Sequence, residues 1–172
     1  ELRGIISRRV LTENGESFLD LTFIPAKTTL DLFYGYFGEN CTSDYPEELF
    51  NPAFTPVRIV CNGNIAGAIH TLTLPIKSKK SLVICGIEPQ TPLADRLNAE
   101  SFVKDLLGRF TGIAAKNGYK QVLISTNAAT ISNRPNIKTA IDKLIKNKSS
   151  LSQGAQTSFP SETEYSIVKC KL

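Results

Sequence analysis

One segment constrains the fold more than any other. Ser81 to Asn127 reads as a buried strand, an irregular polar turn, an amphipathic helix and a second strand. The run Ser81-Leu82-Val83-Ile84-Cys85-Gly86-Ile87 is nearly continuous in apolar residues, the pattern of a strand covered on both sides. After the turn, Ala99, Phe102, Val103, Leu106, Leu107, Phe110, Ile113 and Ala114 recur at helical spacing. Asn117-Gly118 stops that helix, because Gly accepts the left-handed conformation of a C-terminal cap. Tyr119 to Thr126 supplies the next strand. A right-handed crossover of this kind lays the second strand parallel to the first. It also sets the helix N-terminus, with its unpaired N–H groups and positive dipole end, beside the carboxyl end of the first strand. Such an end suits an anionic ligand, often a phosphate.

The flanking sequence completes a sheet. Arg3 to Leu11 and Ser17 to Pro25 are strand-like, joined by Glu13-Asn14-Gly15-Glu16, in which Asn-Gly suits a type I′ hairpin turn. Thr28 or Thr29 caps a predicted helix through Leu30, Leu32, Phe33, Tyr34 and Phe37, and residues 39–56 read as loop with one helical turn at Glu47–Phe50. A second hairpin runs from Val57 to Cys61, through Asn62-Gly63-Asn64, and on from Ile65 to Ile76. With the turn at Lys77–Lys80, three consecutive antiparallel strands follow. Past Asn127, Pro135 suits the first turn of a helix whose apolar stripe is Ile137, Ala140, Ile141, Leu144 and Ile145. Ser149 to Gln156 reads as a loop, 155–159 as a short strand, 160–163 as a turn and Tyr165 to Leu172 as a final strand. The order β-β-α-β-β-β-α-β-α-β-β describes an α+β domain around a mixed sheet with helices on both faces. The reading is a single domain over 1–172, with 1–16 as an extra N-terminal strand and hairpin.

Composition narrows the function classes. At 172 residues and 41% hydrophobic content, the chain can bury one core. The net charge of +4 is mild, and no dense Lys/Arg stripe marks a nucleic-acid surface. Cys41, Cys61, Cys85 and Cys170 form no CxxC pair, and His70 is the one histidine, so zinc-ligand spacing is missing. Reduced thiols in a cytoplasmic setting fit best, with two bridges in a secreted chain as the alternative. No apolar run reaches membrane-spanning length. GxSxG, GxxxxGK[ST] and HExxH are absent. A chain that starts at Glu1 and contains no Met is expected to be part of a longer polypeptide.

The element order resembles the GNAT family of N-acetyltransferases over residues 17–172. Asn64-Ile65-Ala66-Gly67 occupies the place of that family's short glycine signature after a hairpin turn. Ile87-Glu88-Pro89 matches its apolar-x-Pro strand end. The family's [RQ]-x-x-G-x-[GA] loop, whose amides hold a coenzyme A pyrophosphate, has its nearest match in Arg96-Leu97-Asn98-Ala99-Glu100-Ser101. This is a degenerate version, with small residues at both glycine positions and a carboxylate between them. The strand after the helix ends at Asn127, where the family often has an Asn touching the cofactor's pantetheine arm.

The resemblance implies an acyl-CoA-dependent N-acyltransferase, taking acetyl-CoA as cosubstrate and an amine-bearing small molecule or protein as acceptor. The alternative is a non-catalytic binding or scaffolding domain of a larger protein. Under the first reading Ile87, Arg96, Asn98, Ala99, Ser101 and Asn127 hold the cosubstrate: Arg96 through its guanidinium fork, the others mainly through backbone or amide groups. Backbone amides near Ile87–Pro89 are expected to be free for the thioester oxygen. Glu88 is the expected general base. His70, mid-strand, is a second ionisable candidate with an ordinary pKa near 6.5, and Tyr165 is a candidate acid.

Overall fold

Local patterning becomes one continuous sheet in the computed structural model, which describes residues 6–15, 17–25, 50–76, 78–125, 131–146, 151–153, 157–158, 164–165 and 167–170. β1 (Ile6–Leu11) and β2 (Phe18–Pro25) form the predicted hairpin, with Gly15 at φ +73 in its turn. β3 (Phe54–Cys61), β4 (Asn64–Ile76) and β5 (Lys79–Pro89) follow as three antiparallel neighbours. A helical turn, α1 (Thr91–Ala94), leads to α2 (Ala99–Lys116), and β6 (Gln121–Ser125) then lies parallel to β5. α3 (Pro135–Lys146) precedes β7 (Leu151–Gln153), β8 (Thr157–Ser158), β9 (Glu164–Tyr165) and β10 (Ile167–Cys170). The main sheet runs β1-β2-β3-β4-β5-β6-β10-β7, and β8-β9 form a separate two-stranded ribbon.

Alternation along the strands splits the core in two. Leu21, Phe23, Ile59, Ile69, Leu82, Ile84, Val122 and Ile124 point to one face, where Phe102, Leu106 and Phe110 of α2 and Ile137, Ala140 and Ile141 of α3 cover them. Phe54, Leu72, Val83 and Leu123 make a smaller cluster on the other face. The helix predicted through Leu30–Phe37 lies outside the described residues, as do Cys41 and residues 47–49 of the predicted helical turn.

Four differences from the sequence reading have physical causes. β3 starts at Phe54 rather than Val57, with Pro56 inside it; pairing with β2 ends at Val57, so among the described residues the proline sits where one flank has no partner strand. α1 is four residues long, too short for a periodic signal. Leu151–Gln153, expected as loop, is an edge strand on β10. Tyr165, expected to open the last strand, belongs to β9 and pairs with Thr157 in a ladder separate from the main sheet.

Candidate functional site

The site begins with a fault in the β4–β5 ladder. Thr71 pairs with Ile84 but His70 pairs with Gly86, so Cys85 is an extra residue, a bulge. Bulges bend a strand and increase its twist. This one falls immediately after Ile84↔Ile124, the last pair that β5 makes with β6. Beyond it, β5 runs on to Pro89 with β4 as its one strand partner among the described residues, and a split opens between the carboxyl ends of two parallel strands. Two glycines permit the close β4–β5 approach here. A Cβ at Gly67 would stand 2.7 Å from the Glu88 oxygen and the Pro89 Cα, and one at Gly86 would stand 2.7 Å from His70 Nδ1.

His70 and Glu88 share one face of this stretch, because their cross-strand partners are Gly86 and Ala68. His70 is 5% exposed, its ring centroid lies 5.6 Å from that of Phe54, and its Nε2 has no hydrogen-bond partner among the described residues. Burial lowers its pKa to about 4, so the imidazole is neutral at pH 7. Glu88 is 3% exposed. Burial pushes its carboxyl up to about 7, against the opposing pull of the Asn133 N–H, the Arg134 charge and the Lys138 charge. The Asn133 N–H donates to both carboxylate oxygens, at 3.1 and 3.3 Å. A half-ionised, almost dry carboxylate is suited to taking a proton near neutral pH.

The backbone groups next to it are engaged, contrary to the expectation of free amides. The Ile87 N–H donates to the Ile131 carbonyl at 2.7 Å, and the Ser132 hydroxyl donates to the Ile87 carbonyl at 2.6 Å. Arg134 Nε donates to the Pro89 carbonyl at 2.7 Å. In the sequence, 131–134 is merely part of a polar stretch. The available signal is positional: this segment enters α3 from β6, so it has to cross the carboxyl end of β5.

The second half of the predicted site is the start of α2. Asn98 is its N-cap, and the side chain accepts the Ser101 N–H at 3.0 Å, so that amide is used within the chain. Ala99 is the first helical residue, and exposed Glu100 forms an ion pair with Lys143 of α3. Arg96 is exposed, and its carbonyl accepts the Glu13 N–H of the β1–β2 hairpin at 2.9 Å. An open depression of about 460 Å³ is lined by Glu13, Asp95, Asn133, Arg134 and Asn136, among others, and by none of the predicted site residues. The structure thus brings Glu88, His70 and Ile87 together, and holds Arg96, Asn98, Ala99 and Ser101 as a second group at the α2 entry. Asn127 lies outside the described residues, and Tyr165 lies on the β8–β9 ribbon.

No helix among the described residues is long and apolar enough to cross a membrane. No family model matches the sequence, and no curated protein matches it. Solved structures do match in three dimensions. An acetyltransferase from Bacillus subtilis in complex with CoA is 14% identical, with a TM-score of 0.55 over 87% of this chain and 97% of that one. A GNAT family acetyltransferase from Elizabethkingia anophelis with acetyl-CoA bound is 13% identical, with a TM-score of 0.53 over 88% and 98%. The GNAT domain of PAT from S. lividans is 11% identical, with a TM-score of 0.52 over 95% and 94%. At these identities the likeness is one of fold: this chain has a GNAT-like fold, a mixed α+β sheet split beyond the middle of β5.

Proposed function

We propose that the protein is an acyl-CoA-dependent N-acyltransferase that moves an acetyl group to an amine, with Glu88 as general base. The observation that carries this reading is Glu88 itself: a carboxylate 3% exposed, with a pKa of about 7, on the strand that the sheet's split leaves open. The split fits an extended arm bearing amides, because β5 continues past its last β6 pair and presents the Ile87 N–H and carbonyl along that edge. When bound, an acyl-CoA would supply the activated thioester. Ile87 would align its arm; Arg96, with the backbone of Asn98, Ala99 and Ser101, would meet its phosphates; Asn127 would meet the arm from the β6 side. Glu88 would take the proton that an acceptor ammonium must lose before it can attack. His70, kept neutral by burial beside Gly86, would serve as a contact for the acceptor, and Tyr165, on the β8–β9 ribbon, is the candidate acid for the departing thiolate. The free thiols of Cys61 and Cys85 suit a reducing, cytoplasmic setting. Residues 1–172 would work as one unit, with 1–16 the added hairpin.

A second reading, a non-catalytic GNAT-like binding or scaffolding module, is favoured by the bonds already made within the split and by Glu100 at the α2 entry. Calorimetric titration with acetyl-CoA and CoA separates the two. Under the enzyme reading both bind, and Glu88→Gln lowers turnover with an amine acceptor by about 10²–10⁴-fold while CoA affinity holds. His70→Ala is the control: loss of turnover there, with Glu88→Gln active, would move the base to His70. A protein that binds neither ligand supports the module.

A further inference from the structure

The split is filled by the chain's own residues, in a manner that copies the ligand proposed for it. Over 131–134, each successive residue meets the end of β5. The Ile131 carbonyl takes the Ile87 N–H, and the Ser132 hydroxyl reaches the Ile87 carbonyl. The Asn133 N–H reaches the Glu88 carboxylate, and Arg134 Nε reaches the Pro89 carbonyl. Ser132 also accepts the Arg134 N–H at 3.1 Å, which closes the segment on itself. Ile131 and Ser132 are 2% and 1% exposed. An extended amide chain adding to a strand edge needs one donor and one acceptor from the same residue. Ile87 is the residue of the open edge whose two groups are both taken here.

We infer that residues 131–134 are a strap that closes this edge, and that it must withdraw before an acyl donor can lie along β5. The inference rests on the acyltransferase reading and adds regulation to it. Occupancy of the strap and of the acyl donor is mutually exclusive, since both claim the Ile87 N–H and carbonyl. Ile131 packs in the main core, so the strap has an apolar anchor; along β5, among the described residues, a single backbone–backbone bond ties it, and its other three bonds there each need a side chain. Its exit also uncovers Glu88, so entry of the donor and exposure of the base become one event. The strap thereby keeps the base dry and bonded when no donor is present.

The test uses the full chain, labelled with ¹⁵N, and two variants that each remove one strap-to-β5 bond without touching β5: Ser132→Ala, which also frees the Arg134 N–H, and Arg134→Gln. Hydrogen exchange at the Ile87 amide reads strap opening, and stopped-flow binding of CoA reads access. In either variant the Ile87 amide is expected to exchange roughly tenfold faster, the factor for one hydrogen bond of ordinary net worth. CoA should associate faster by a similar factor, with the Ile84 and Ile124 amides still protected. That protection shows the variant is folded; if one variant loses it, the other decides. Faster exchange at Ile87 with CoA association unchanged in a protein that binds CoA would overturn the strap as a barrier and leave the enzyme reading standing. Unchanged exchange in both variants would overturn it too. If neither the wild type nor the variants bind CoA even with Ile87 exchanging freely, the enzyme reading falls, and the strap with it.

Discussion

Glu88 and His70 put opposite demands on the folded state, and the signs can be worked out. A carboxyl raised to about 7 binds more protons in the native chain than in the unfolded one between pH 4.5 and 7. Its burial is therefore free of penalty at pH 4, and the penalty is fully present above pH 7. A histidine lowered to about 4 behaves in reverse: the unfolded chain binds more protons between pH 4 and 6.5, so His70 destabilises as pH falls through that window. Glu88→Gln keeps an acceptor for the Asn133 N–H and cannot ionise. It should raise stability at pH 8, by up to about 3 kcal/mol before solvent screening, and leave it unchanged at pH 4. Thermal melts across that range check this; a gain equal at both ends would mean that Glu88 titrates normally. Sequence reading can single out Glu88 because an apolar strand ending in a carboxylate beside proline is conspicuous. It cannot see the raised pKa, because the burial that causes it, and the Asn133, Arg134 and Lys138 groups that partly oppose it, depend on how distant parts of the chain pack against the end of β5. Nor can it see that His70 is buried, because a mid-strand position fits either face until the register is known.

Whole elements are legible where periodicity is long. α2 and the antiparallel order β3-β4-β5 emerge as read because their patterns are long or bounded by clear turns, while the strand ends shift by two or three residues. The split is expected from the family resemblance but is not legible in the residues themselves, as it depends on a single bulged residue, Cys85, and on two glycines that only the pairing explains. Gly67→Ala tests that account. Its Cβ would meet backbone atoms of Glu88 and Pro89 at 2.7 Å, which cannot rotate away, so the strands must part. We expect a loss of about 1–3 kcal/mol or more in denaturant unfolding. A near-neutral effect would show that the crossing is loose. At the other end of the site, Asn98→Ala removes the bond to the Ser101 N–H, and a loss of about 1 kcal/mol is expected for such a cap. Because that change also releases an amide at the α2 entry, phosphate or CoA binding measured alongside reports whether the entry takes anions at all.

For the molecule as a whole, the order β1-β2-β3-β4-β5-β6-β10-β7 places the β5–β6 split in the interior of the sheet, with β1 and β7 as its outer strands among the described residues. The N-terminal hairpin is legible from Asn14-Gly15 alone, but its tertiary role is beyond sequence reading. Its turn docks on the α2 entry: Thr12 bridges Leu97, and the Glu13 N–H bonds the Arg96 carbonyl. Val10 and Leu97, 3% and 0% exposed, belong to one core cluster with Leu19, Leu21 and Phe102. The hairpin is thus part of what holds Arg96 and Asn98 in place. Removing residues 1–16 would bare Leu97 and the β2 edge and take away the burial of Val10. At roughly 25 cal/mol per Å² of apolar surface, losing two such side chains' worth of burial costs about 3–6 kcal/mol. Chemical unfolding of the shortened chain should show at least half of that loss, and exchange at the Leu97 and Ser101 amides should rise more than at Ile124. A shortened chain with an unchanged midpoint and a quiet α2 entry would make the hairpin an ornament, and the geometry of the proposed phosphate-contacting group would need another support.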